Sequence, residues 1–290
     1  MNTTSIIIDK ERQPPWASPG AVVFSCNDEI VGPGGQHDWW QLCQHGWPLY
    51  LGGYSAIILL DKLEFGAVIM RAIIFDAFGT LFRVTSGGSA KTIMKNITDC
   101  GMIIDETAFL EEWKSYYKNH TSSDCEFMTE RDIFIARIQM FYDRYNVKRN
   151  AEKDADSLLA GAFEREAYPE IKTVLSELMK NYLVFIGSNT DNDVLESVMQ
   201  KNGIAVHKVY TSENLKCYKP ASQFFTRILD ENGLLPHEVL FVGDSITDDI
   251  WGPKAIGIKT VWLDRNGIGG SSGQDYTITD MNGLLDDVLR

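Results

Sequence analysis

The chain has 290 residues, 44 % of them hydrophobic and 23 % charged, a balance that supports a sizeable core in one large or two ordinary domains. Its net charge of −13 and pI of about 4.8 exclude nucleic acid as a main partner, which needs a basic footprint. Five scattered cysteines without a CxxC pair fit a reducing cytoplasm, no apolar run reaches the roughly 18 residues of a membrane span, and the start carries no signal-peptide pattern.

Residues 1–69 differ from the rest. They hold turn formers at Pro14-Pro15, Pro19-Gly20, Gly32-Pro33-Gly34-Gly35 and Gly52-Gly53, and four of the seven tryptophans. Ala21–Phe24 and Ala56–Leu60 read as short strands. His37, Cys43 and His45 match no common zinc spacing. The segment reads as an N-terminal extension, either poorly ordered or preceding a native start near Met70.

Ala72–Phe75 is a short apolar run ended by Asp76 and Gly79, which predicts a buried strand with a carboxylate at its tip. Residues 84–167 read as a four-helix insertion. Its segments lie at Lys91–Cys100, from Asp105 to Tyr117, after a capping pair at Thr129 and Asp132, and from Ala151 to Glu166. Trp113, Tyr116, Tyr117, Phe141 and Tyr142 are expected in its core. From Tyr168 onward helices alternate with strands at Tyr182–Ile186, His207–Tyr210, Val239–Val242 and Lys259–Leu263, with an edge strand at Tyr276–Ile278. That alternation predicts an α/β fold with a parallel sheet and right-handed crossovers, built from residues 70–83 and 168–290.

Three strand ends carry polar groups: Asp76, then Ser188-Asn189, then Asp244 with Asp249. Lys219-Pro220 lies between the second and third. In a parallel sheet these ends share one edge and converge. Asp76 and Asp244 suit a shared hard cation such as Mg²⁺, which prefers oxygen ligands. Thr80 and Ser188 can hold phosphoryl oxygens. Lys219 can bind the same charge and keep Asp76 ionised. Asp249 can orient the lysine or a metal-bound water.

The stretches FDAFGTLF (75–82), FIGSNT (185–190), YKP (218–220) and VGDSITDDIWGPKAIGIKTVWLDR (242–265) resemble, in order, the four motifs of the haloacid dehalogenase (HAD) superfamily. The resemblance covers about residues 70–281. It implies a Rossmann-like core with an inserted helical cap over the site. It further implies Asp76 as nucleophile, Ser188 as phosphate-binding hydroxyl, Lys219 as stabilising base, and Asp244 with Asp249 as the acidic pair. The Phe78 backbone carbonyl would join Asp76, Asp244 and Asp249 around Mg²⁺, with Thr80 and Asn189 facing a small-molecule substrate. The implied protein is a monomer or homodimer.

One position departs. Phosphatases of the superfamily usually carry Asp two residues after the nucleophile, where it protonates the leaving group; here that residue is Phe78. An aromatic there resembles the dehalogenase branch, whereas GDSITDD resembles the metal-binding phosphatase form. The leading expectation is a Mg²⁺-dependent phosphohydrolase forming an aspartyl-phosphate. The alternatives are a metal-independent 2-haloacid dehalogenase and a catalytically weak HAD-fold binding protein.

Overall fold

The computed structural model describes residues 49–51, 54–56, 70–84, 88–122 and 126–289. The chain divides into two units, residues 1–67 and 68–290. The described part of the first is an antiparallel pair, β1 (Leu49–Leu51) and β2 (Tyr54–Ala56), with Leu49 opposite Ala56. The strand expected at Ala21–Phe24, most of that at Ala56–Leu60, and His37, Cys43 and His45 lie outside the described residues.

The second unit is built on a six-stranded parallel sheet in the order β5-β4-β3-β6-β7-β8. Its strands are β3 (Ala72–Phe75), β4 (Leu183–Ser188), β5 (Lys208–Thr211), β6 (Val239–Gly243), β7 (Lys259–Leu263) and β8 (Tyr276–Ile278). β3 is central because all four of its residues are apolar and fully buried, so both faces need cover. Ile73 and Phe75 pack with Val174 and Leu178 of α5 (Ile171–Leu178) and with Leu195 and Val198 of α6 (Asn192–Asn202). Ala72 and Ile74 pack on the opposite face with Phe224, Phe225 and Ile228 of α8 (Ser222–Asn232). A short helix, α7 (Ser212–Leu215), precedes α8. Gly203 and Gly233, both left-handed, end α6 and α8 where the Asn-Gly pairs predict stops.

Chain order reverses at β3: β4 lies on one side and β6 on the other. Phe75 sits opposite both Ile186 and Val242. This register brings Asp76, Ser188 and Asp244 to one edge, at the crevice where open α/β sheets bind ligands. After β6 the chain forms a π-helical turn over Ile246–Trp251 that runs directly into a short α-helical turn over Gly252–Lys254.

Between β3 and α5 the described residues form four α-helices, α1 (Gly88–Thr98), α2 (Glu106–His120), α3 (Glu130–Arg144) and α4 (Ala151–Leu159), and a 3-10 turn over Ala160–Glu164. Asp105 and Thr129 cap α2 and α3 by accepting from Ala108 N and Asp132 N. Trp113, Phe141 and Tyr142 are buried as expected, with Phe109 and Phe141 rings 4.3 Å apart. Tyr116 and Tyr117 are only part-buried. Tyr117 turns away and donates to Glu130 Oε1 at 2.5 Å.

The insertion is held to the strand edge by polar contacts. Both Asp191 oxygens accept from the first turn of α3, from Glu130 N and Arg131 N at 2.8 Å each. A carboxylate there also complements the positive end of the helix dipole. Tyr218 donates to Met128 O at 2.9 Å. Replacing Asp191 by Ala is expected to cost about 1–2 kcal/mol, a lost charge-assisted cap. Chemical denaturation measures the loss, and hydrogen exchange at the Glu130 and Arg131 amides should speed up well beyond that at β3.

Candidate active site

Asp76 follows β3 directly, and its amide donates to Val242 O at 2.9 Å, which ties the residue to the neighbouring strand. Its Oδ1 accepts from Ser188 Oγ at 3.1 Å and from Lys219 Nζ at 2.8 Å. Oδ2 makes no hydrogen bond among the described residues. One oxygen is pinned and the other is left for chemistry.

Lys219 is 3 % exposed and bridges two carboxylates, with Nζ 2.7 Å from Asp249 Oδ1. Burial works against its charge, but Asp249 and Asp76 outweigh that and hold the ammonium well above its ordinary range. Asp249 is equally buried, and burial pushes its carboxyl up against the pull of Lys219. Its Oδ2 accepts from Ser245 N at 2.9 Å, so both its oxygens are engaged.

Asn189, expected to face substrate, is engaged elsewhere. Its Nδ2 donates to Lys219 O at 3.0 Å and its Oδ1 accepts from Lys219 N at 2.7 Å. The side chain clamps the lysine backbone. Thr80 is fully buried and donates to Asp244 Oδ1 at 3.2 Å. Although Asp244 is exposed, protein packed around its carboxylate and the nearby Asp76 charge push it up to about 6.

Two glycines permit these approaches. A Cβ on Gly79, whose φ is +95°, would lie 2.4 Å from Asp244 Oδ2. One on Gly243 would lie 2.3 Å from the Asp249 carboxylate. Each glycine lets a carboxylate rest on bare backbone.

Asp76, Asp244 and Asp249 can each offer one oxygen within 4.8 Å of the others. With Lys219 as the one cation in contact with them among the described residues, two negative charges remain in excess when all ionise. The donor set fits a hard divalent cation such as Mg²⁺. Asp76 and Asp244 retain free oxygens for it, and the Phe78 carbonyl accepts no hydrogen bond among the described residues.

A family model described as haloacid dehalogenase-like hydrolase matches residues 70–257. The chain belongs to the haloacid dehalogenase-like hydrolases. It is 26 % identical over 208 residues to the (S)-2-haloacid dehalogenase 4A of Burkholderia cepacia, covering 68 % of this chain and 84 % of that protein. It is 31 % identical over 115 residues to the phosphoserine phosphatase of Thermus thermophilus, covering 37 % of this chain and 46 % of that one. The fold is shared with the HAD-hydrolase YfnB from Bacillus subtilis bound to magnesium, at a TM-score of 0.58 and 16 % identity over 75 % of this chain and 98 % of that one.

Sequence reasoning passes over three groups of this HAD-like site. Arg165 places its guanidinium carbon 4.0 Å from the Phe78 ring centroid. Glu130 at the start of α3 is pushed up to about 7, mainly by burial, against the hydrogen bond from Tyr117. Asp191 holds the α3 terminus. None belongs to a motif; each becomes visible only when the insertion meets the strand edge.

Replacing Lys219 by Met strands two buried carboxylates and is expected to cost about 3–5 kcal/mol. The deficit should shrink as pH falls and those groups take up protons, which denaturation at pH 8 and pH 5 would reveal. Glu130 contributes with the opposite sign. Its folded value of about 7 lies above the ordinary 4.5, so its penalty is absent at low pH, grows between those values and is complete above the higher one. Replacing Glu130 by Gln should therefore stabilise the protein at pH 8 by about 1–2 kcal/mol, discounted for partial exposure, and by little at pH 4.5.

Proposed function

We propose that this chain is a Mg²⁺-dependent phosphohydrolase acting on a small phosphorylated metabolite, working in the reducing cytoplasm that its scattered cysteines fit. The observation that carries the reading is the surplus of carboxylate at the strand edge: Asp76, Asp244 and Asp249 against Lys219 alone. The ionised cluster would repel an anionic haloacid, with Lys219 and the Arg165 charge offsetting it only in part, whereas a divalent cation would turn the same cluster into a phosphate site. Asp76 and Asp244, with the Phe78 carbonyl, would hold the metal, which when bound neutralises the phosphoryl oxygens.

The chain's own groups supply the rest. Lys219 and Ser188 hold Asp76 through Oδ1, so its carboxylate would attack phosphorus and form an aspartyl-phosphate as the P–O bond to the leaving group breaks. Asp249 and Asn189 keep Lys219 in place. Water then hydrolyses the acyl phosphate. Phe78 can neither protonate a leaving alkoxide nor activate water, and such acid–base help is worth about 10²–10⁴-fold. The enzyme is therefore selective for phosphates whose leaving group departs without a proton.

The second reading, a 2-haloacid dehalogenase with Asp76 attacking carbon, is favoured by Phe78, since halide leaves without a proton. The dehalogenase relative supports it also.

Turnover of acetyl phosphate and p-nitrophenyl phosphate, measured while titrating Mg²⁺, should rise from background and exceed that of alkyl phosphates by at least about 10²-fold. Asp76→Asn should abolish it. Chloride release from 2-chloropropionate in the presence of a chelator, with no phosphatase activity, would transfer the assignment to the second reading.

A further inference from the structure

Asp244 is held at both its ends, and both holds lead to the segment at the end of β7. The Trp262 indole N–H donates to Asp244 O at 3.1 Å and fixes the backbone. The side chain is fixed by the Thr80 hydroxyl, which donates to Oδ1. Thr80 itself stands in a tight turn after Asp76, where Leu81 N and Phe82 N both donate to Ala77 O at 2.8 Å. The Thr80 carbonyl accepts from Arg265 Nη2 at 3.0 Å.

Arg265 is restrained on three sides. Besides Thr80 O it meets Glu170 at the start of α5, with Nη1 2.8 Å from Oε1, and its guanidinium carbon lies 3.5 Å from the centroid of the Tyr168 ring. The arginine and glutamate side chains are each only 15 % exposed, so salt screens the pair less than a surface pair. The backbone beneath is fixed as well. Asp264 N donates to Ile278 O at 2.8 Å, and the Asp264 carboxylate accepts from Ile268 N and Gly269 N at 3.0 and 2.8 Å. Tyr168 N donates to Leu81 O at 3.1 Å, which ties the ring under the guanidinium to the same turn. A planar fork can meet a carbonyl, a carboxylate and a ring face at once; a lysine ammonium, as a point charge, cannot match that set.

The geometry points to Arg265 as a positioning residue for the proposed reaction: by holding the Thr80 carbonyl it sets the hydroxyl that aims Asp244 at the cation. Among the described residues it makes no hydrogen bond or ion pair with Asp76, Ser188 or Lys219, so its effect runs through Thr80. Its charge alone would oppose a divalent cation nearby. A role through position and a role through field therefore have opposite signs. The inference rests on the proposed Mg²⁺-dependent reading and adds to it a group that sets the affinity of the metal site.

Calorimetric titration of the full chain with Mg²⁺ alone reads that sign without turnover. Arg265→Met should weaken Mg²⁺ binding about tenfold or more, the size expected when a group that orients a metal ligand is lost. Arg265→Lys keeps the charge but not the fork and should recover only part of the affinity. Thr80→Val should weaken binding by a similar factor. Combined with Arg265→Met it should stay within about twofold of the poorer single variant, because both changes act on one oxygen of Asp244. Glu170→Gln leaves the packing in place and should shift binding in the same direction, which keeps the test open if Arg265→Met does not fold. In acetyl phosphate turnover the same variants should raise the Mg²⁺ concentration for half-maximal rate more than they lower kcat at saturating Mg²⁺. Unchanged or tighter Mg²⁺ binding in the Arg265 and Glu170 variants, or factors that multiply in the double variant, would overturn the inference, as would a wild type that binds no Mg²⁺. Weakened binding in a chain that hydrolyses no phosphate removes the proposed function and leaves Arg265 as the residue that positions Asp244.

Discussion

Lys219 between Asp76 and Asp249 is the interaction on which the rest of the site depends. Three ionisable groups are taken out of water together, and each is tolerable only because of the others. A buried pair of this kind need not add net stability, since desolvation offsets much of the attraction. Its effect here is positional. The lysine fixes one oxygen of Asp76 and so decides which oxygen is free. Asn189 and Ser245 secure the two ends of the arrangement through backbone contacts. Even the sheet serves it, because β3 has to be central for groups from β4 and β6 to reach the same carboxylate.

The charge count and the Phe78 position pull the chemistry in different directions, and both have physical meaning. Excess carboxylate calls for a cation. An aromatic in place of an acid calls for a leaving group that needs no proton. A phosphohydrolase restricted to good leaving groups satisfies both demands, and a dehalogenase satisfies only the second. The dehalogenase likeness spans most of the HAD-like unit, so it reflects shared architecture as much as shared chemistry.

Much of this was legible in the sequence because the fold is dictated by short, strongly patterned pieces. Apolar runs such as Ala72–Phe75 and Val239–Val242 favour buried strands over helix segments once the Asp and Gly residues that end them are taken into account, and Asn-Gly pairs mark where α6 and α8 end. Parallel topology then brings Asp76, Ser188 and Asp244 together without further information. What was not legible depends on contacts across long sequence separations. The Asn189 side chain, expected from sequence to face substrate, makes two hydrogen bonds to the Lys219 backbone across 30 residues, which its place in the sequence does not reveal. Arg165 lies in an ordinary charged stretch, and only the path of the chain back from the helical insertion brings it over Phe78. Tyr116 and Tyr117 look equally apolar, yet Tyr117 donates to Glu130, a partner 13 residues away on the next helix.

The grip of Asp191 and Tyr218 on the first turn of α3 has a mechanical consequence. Asp191 lies three residues beyond Ser188, and Tyr218 immediately precedes Lys219. The two loops that hold the helical insertion are therefore the two that deliver the groups fixing Asp76. Displacing the first turn of α3 would therefore strain both loops at once.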